Sequence, residues 1–180
     1  MATFVDADRS PAPVRLLAAP RRVAWLILLA AAATIGGALL FEHGLGLVPC
    51  KLCLQQRVPY YLAMPLALGL IVLPRRSGPL ARAGLGLLGL VFLTSAGLGA
   101  YHAGVEWGWF AGPSDCGGAV APAAGSVGDF LRDLDRTRVV SCAEAAWRFG
   151  GLSLAGWNAL ISLVLAGLGF AGARAAPRSL

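Results

Sequence analysis

Nineteen consecutive residues without a charge, Val23 to Phe41, constrain this chain more than any other feature of its sequence. At about 1.5 Å of rise per residue, a helix over them reaches roughly 28 Å, the thickness of a bilayer's hydrocarbon core. A backbone entering hydrocarbon has to satisfy its own polar groups, which favours a helix. A cleaved signal peptide is the competing reading. The run is longer than the usual apolar region of about 7–15 residues, however, and it starts only after a 22-residue preface.

Three similar runs follow, over about 54–73, about 83–101, and within 150–173. The chain is 57% apolar and 13% charged, with a mean hydropathy of +0.70, values that exclude an ordinary water-soluble globule. Its charged residues gather between the apolar runs instead of spreading along amphipathic elements. A net charge of +6 would suit a nucleic-acid partner, but arginines confined to the flanks of apolar runs are explained by membrane topology. The expected architecture is therefore all-α: one integral membrane domain over residues 1–180, a four-helix transmembrane bundle with loops at about 42–53 and 102–149.

Orientation follows from the basic residues. Arg9, Arg15, Arg21 and Arg22 precede the first run, Arg75, Arg76 and Arg82 join the second and third, and Arg174 and Arg178 end the chain. These nine of fifteen share one side, and the positive-inside rule makes that side cytoplasmic, with both termini. The two remaining loops then face outward. Cys50 and Cys53 lie in the first of them, Cys116 and Cys142 in the second, two crossings later. An even number of crossings places all four cysteines on the same, oxidising face.

The Cys50-Lys51-Leu52-Cys53 spacing suits a redox switch, since neighbouring thiols close a small ring and a nearby positive charge or helix N-terminus favours the thiolate. Arg57 falls four residues after Cys53, so a helix through this segment would put its guanidinium on the Cys53 face, able to stabilise a thiolate or to hydrogen-bond a quinone oxygen. Pro59 opposes a helix begun at Cys53, because proline forfeits a backbone bond and clashes one turn back; the expectation is a start nearer Val58, or a kink. Static structural disulfides and metal binding remain open alternatives. Zinc is disfavoured by a single C-x-x-C, by the 26 residues separating the other two cysteines and by the lack of a histidine at ligand spacing. Leu54 stands where haem attachment requires histidine.

Gly84, Gly86 and Gly89 spell a dinucleotide fingerprint, but inside an apolar run with no preceding strand; close helix packing is the better reading. Trp107, Trp109, Phe110 and Trp147 flank the outer ends of the third and fourth runs, as an interfacial belt would. His102, at the exit of the third run, has the ordinary chemistry of a proton carrier to a reduced quinone, against the plainer reading of an interfacial histidine. Glu42 and His43 face the same compartment. Val127, Phe130, Leu131 and Leu134 repeat at helical spacing opposite Asp129, Arg132, Asp133 and Arg136, which predicts a short helix on the membrane surface. Around Cys116, Gly-Pro-Ser-Asp-Cys-Gly-Gly is loop sequence.

Over nearly its whole length the chain resembles the family of bacterial disulfide bond formation protein B, DsbB. The resemblance rests on Pro49-Cys50-Lys51-Leu52-Cys53 with Gln56-Arg57, on Tyr101-His102-Ala103-Gly104-Val105, on Cys116, and on Ser141-Cys142-Ala143-Glu144 leading through Trp147 and Phe149 to Gly151-Leu152. It implies a multi-pass protein of the bacterial inner membrane with periplasmic cysteines, passing electrons from a thioredoxin-like, DsbA-like dithiol partner to a membrane quinone, ubiquinone or menaquinone. It further implies that Cys116 and Cys142 form the loop pair and Cys50 and Cys53 the quinone-proximal pair. Cys116 would take the mixed disulfide with the partner, Cys50 would exchange with the loop pair, Cys53 would face the quinone, and Arg57 would contact it. A thiol relay of the vitamin K epoxide reductase kind would instead place its loop cysteines before the C-x-x-C; here they follow it.

Overall fold

Helix α1, Pro20–Leu39, opens on a proline, tolerated in a first turn whose backbone N–H groups have no partner in any case. Val23, Ala24, Ile27, Ala31 and Ile35 form its buried stripe, while Leu29 on the opposite face is 60% exposed. In the computed structural model, which describes residues 19–74, 78–113 and 141–176, α1 runs on into a π-helical turn, Leu40–Gly44, that carries Glu42. Helix α2, Lys51–Val72, begins on Cys50 as its N-cap and contains both Pro59 and Pro65. The expected start nearer Val58 is thus not adopted. Capping at Cys50 satisfies the first turn, and the helix tolerates the bonds its two prolines forfeit.

Helix α3, Gly78–Glu106, is 29 residues long. Strands β1, Arg148–Phe149, and β2, Leu152–Ser153, pair antiparallel, Arg148 opposite Ser153. The turn between them, Gly150 and Gly151, has φ of 59° and 82°, the left-handed pair that a two-residue hairpin needs. The fourth apolar run therefore starts as a hairpin, and its helix, α4, Leu154–Ala175, begins four residues after Gly150 with the Ser153 hydroxyl accepting from the Gly156 N–H at 3.1 Å.

Two arginines tie opposing helix ends together. Arg21 at the start of α1 donates to the Leu73 carbonyl at the end of α2, 2.7 Å, and Arg82 near the start of α3 donates to the Ala176 carbonyl after α4, 3.2 Å. Each pair is thereby antiparallel, and each cation sits where the helix C-terminus is negative. Pro20–Gly44, α3 and α4 are long and apolar enough to cross a membrane; α2 has the length but carries Gln55, Gln56 and Arg57 in its first half. Outward-facing side chains such as Leu62, Leu90, Leu163 and Val164 are all exposed. Soluble monomers rarely display so much contiguous apolar surface, whereas lipid would cover it.

Helices α3 and α4 pack most extensively. A Cβ on Gly169 would lie 2.7 Å from the Gly89 nitrogen, so the two backbones touch where only glycine fits. Gly84, likewise, leaves room for Leu70, while Gly86 faces open space. The glycines that imitate a nucleotide fingerprint are thus, at two of three positions, packing residues. The surface helix expected over 127–136, and Cys116, lie outside the described residues.

Candidate functional site

The cap that starts α2 also builds its chemistry. Cys50, only 5% exposed, accepts the Cys53 backbone N–H at 3.2 Å, and the two sulfurs stand 2.8 Å apart as free cysteines. His102, from the last turns of α3, brings Nε2 to 3.6 Å from the same Cys50 sulfur. With a backbone amide and a ring nitrogen both aimed at it, Cys50 is the natural acceptor of the pair and Cys53 the donor of the shared proton. Both sulfurs lie before the apolar part of α2. The Cys53 thiol, against burial and helped by His102 and the Cys53 N–H, pulls Cys50 down from 9.0 to about 4. Cys53 moves the other way, held well above the ordinary thiol range first by its bond to Cys50, then by burial, with the nearby Glu106 charge adding.

The two sulfurs also face different surroundings. Cys50 is buried in a small apolar cluster with Leu52, Val105 and Cys142, and Cys142 is disulfide-bonded. Cys53 lines a cavity of about 300 Å³ that also takes in Phe41, Arg57, Tyr60, Trp157 and Asn158. Neither Cys50 nor His102 lines that cavity among the described residues. Its walls are overwhelmingly apolar with a few polar groups, the character of a small-molecule site. Arg57 points its guanidinium to Glu42, Nη1 to Oε2 2.6 Å, both side chains largely buried. The π-helical turn thus holds the arginine against the cavity wall.

His102, expected at an interface, is 2% exposed. Gln56 Nε2 lies 2.6 Å from its Nδ1, and Glu106 Oε1 lies 3.9 Å from its Nε2. The second Glu106 oxygen is buried without a hydrogen-bond partner. From Gln56 a polar chain runs into the bundle: Asn158 donates to Gln56 Oε1 at 2.7 Å, Tyr60 donates to Asn158 at 2.7 Å, and Ser162, 2.9 Å from Tyr60, donates to Ser95 at 2.9 Å.

Of the residues singled out in the sequence, the structure brings Cys50, Cys53 and His102 into contact, places Arg57 on the cavity wall beside Cys53, and sets Cys142 against Cys50. The Cys116 position lies outside the described residues. Gln56, named only in the family motif, and Glu42, named only for its compartment, complete the site together with Glu106 and Asn158, which the sequence reading did not single out. The donor atoms of Cys50, Cys53 and His102 lie within 4.8 Å of one another, a histidine at the thiols that local spacing had argued against. Those three could hold a thiophilic ion only if the ring turned a lone pair, not an N–H, to the sulfurs. The four aromatic rings of the expected interfacial belt, Trp107, Trp109, Phe110 and Trp147, are each more than a third exposed, and Trp147 packs between Phe41 and Phe149.

A family model described as disulfide bond formation protein DsbB matches residues 20–172. The chain is 33% identical over 156 residues to a disulfide bond formation protein B of Marinobacter nauticus, spanning 80% of this chain and 86% of that one. It is 34% identical over 150 residues to disulfide bond formation protein B 1 of Pseudomonas aeruginosa, 80% and 88% of the two, and 30% identical over 165 residues to the Polaromonas protein of the same name, 84% and 90%. No solved structure matches the chain.

Proposed function

The chain belongs to the DsbB family of disulfide bond formation proteins, and from that premise we propose that it re-oxidises a DsbA-like dithiol protein of the periplasm and delivers the electrons to a membrane quinone. In this reading it is a multi-pass protein of the bacterial inner membrane, all four long helices crossing, with cytoplasmic termini and periplasmic cysteines.

The observation that carries the reading is the split environment of the C-x-x-C pair: Cys50 packed against disulfide-bonded Cys142, Cys53 on a cavity wall. A relay needs one sulfur open to thiol exchange and the other open to an acceptor. The partner's thiolate attacks the Cys116–Cys142 disulfide at Cys116, the loop pair exchanges with Cys50, and the pair Cys50–Cys53 is left reduced. Re-forming its disulfide releases two electrons and two protons. Quinone, when bound, supplies the acceptor for both. The residues fit such a group: the cavity volume is at the lower end of the roughly 300–1,000 Å³ of ligand pockets, and Cys53 and Arg57 share its wall. Arg57, braced by Glu42, presents donors to a carbonyl oxygen. Glu106, with one oxygen unpartnered, stands ready as a proton acceptor beside the dithiol.

Purified protein with reduced partner and quinone tests the proposal. Wild type should turn over, and Cys50→Ser or Cys53→Ser should reduce no quinone; full turnover by Cys53→Ser would remove the mechanism. A scaffold with static disulfides would show the same free-thiol titre with and without quinone.

A further inference from the structure

We propose that Gln56 is a positioning residue that fixes His102 as the tautomer protonated on Nε2, so that the ring donates to the Cys50 sulfur. The role deepens the function proposed above and rests on it for its purpose, since it is the charge on Cys50 in the reduced pair that the donor supports.

The tautomer follows from one carbonyl. Gln56 Nε2 lies 3.3 Å from the Leu52 carbonyl oxygen, one turn back on α2. A backbone carbonyl can only accept, so the amide nitrogen, not the amide oxygen, has to face it. That same nitrogen is 2.6 Å from His102 Nδ1. Having spent its face on a donor, Nδ1 has to accept, and the ring proton resides on Nε2. The other end of the amide agrees: Gln56 Oε1 accepts from Asn158 Nδ2 at 2.7 Å, and the Asn158 oxygen is engaged by the Tyr60 hydroxyl. Flipping Gln56 would set its oxygen against the Leu52 oxygen and its NH₂ against the Asn158 NH₂.

The surroundings of Nε2 agree once Cys50 carries the thiolate. The polar atoms facing it, Cys50 Sγ at 3.6 Å and Glu106 Oε1 at 3.9 Å, are a sulfur that accepts and a carboxylate that accepts. A lone pair on Nε2 would face both with nothing between. Side chains of three helices, from Tyr60 and Gln56 on α2 through Asn158 on α4 to His102 and Glu106 on α3, thus orient one proton toward one sulfur. From Asn158 to the His102 ring each amide is satisfied only one way, and that is what lets this part of the network hold direction.

The test is the nitrogen spectrum of ¹⁵N-histidine in the purified reduced protein, with His102→Gln used to assign signals between the chain's two histidines. Wild type should show one tautomer with the proton on Nε2. Gln56→Glu, which keeps the shape but offers Nδ1 only acceptors, should place a proton on Nδ1; Gln56→Leu should lose the single-tautomer pattern and move the thiolate absorbance of Cys50 to higher pH. A wild-type spectrum protonated on Nδ1 alone overturns the inference, whatever the variants do. So does a ring whose signals, and a Cys50 titration whose midpoint, are the same in all three proteins. Quinone reduction read on the same samples keeps the two ideas apart: a correct tautomer in a protein that reduces no quinone leaves the positioning standing and removes the proposed function.

Discussion

Reduced Cys50 should remain a thiolate down to about pH 4, and the size of the effect dictates how to look for it. At pH 7 a thiol titrating at 9.0 is about 1% thiolate, while one titrating at about 4 is ionised almost completely, a gain of roughly a hundredfold. Alkylation rate is a poor reporter. Nucleophilicity falls with a Brønsted coefficient of about 0.4–0.5, which over this range offsets some two decades and cancels the gain. The sulfur is also buried. Ultraviolet absorbance of the thiolate, taken as reduced minus oxidised protein across pH 3–10, has neither defect. Wild type should hold a single thiolate per C-x-x-C pair across the neutral range and lose it with a midpoint near 4. The group is depressed in the folded protein, so its contribution to the stability of the reduced state is fully present above pH 9 and disappears as pH falls through about 4. Cys53→Ala, which removes the first cause of the shift, should raise the midpoint more than His102→Ala, whose ring is a lesser one. A wild-type midpoint at pH 8–9, or the reverse ranking of the two variants, would refute the assignment of Cys50 as the acceptor.

Arg57→Ala should remove a charged donor from the cavity wall, and at about 1.5–3 kcal/mol for such a bond the apparent KM for quinone should rise roughly 10- to 150-fold with little change in kcat, read by steady-state quinone reduction. Gly169→Val presses a side chain onto the Gly89 backbone and should cost about 1–3 kcal/mol or more of stability, seen as a lower Tm in detergent, whereas Gly86→Ala, facing open space, should leave Tm unchanged. Tyr60→Phe removes the 2.7 Å donor to the Asn158 oxygen and leaves Ser162 its bond to Ser95, and should destabilise by about 1 kcal/mol in the same assay. With the native cysteines replaced by serine, Leu45→Cys and Trp109→Cys, both at well-exposed positions, should each be labelled by a membrane-impermeant thiol reagent on intact spheroplasts; protection of either until the membrane is opened would reverse the proposed topology.

The long helices were legible because a stretch of uncharged residues leaves a buried backbone little choice: the run Val23–Phe41 falls within Pro20–Gly44, and the third run within α3. Boundaries set by single side chains were not. Pro59 argued for a late start to α2, but a cysteine that doubles as an N-cap outweighed it. Gly150 and Gly151 carried a hairpin signal that the surrounding hydrophobicity concealed. That Cys50, Cys53 and Arg57 lie close together could be read from their spacing along one helix. The partners of His102 could not, since Cys50 is 52 residues away and Gln56 is 46, and nothing periodic connects residues on different helices. Gln56 and Asn158, polar residues in otherwise apolar runs, were the available hint, because such groups are costly in hydrocarbon unless they pair.

At about 1.5 Å per residue, the 29 residues of α3 extend roughly 44 Å, well beyond a hydrocarbon slab of about 30 Å. Its excess length includes the end that bears His102 and Glu106, so bilayer thickness sets how wet the redox centre is. In lipids with longer acyl chains the hydrocarbon would climb toward that end, and turnover should fall as the exit for protons closes, making the enzyme a gauge of hydrophobic mismatch.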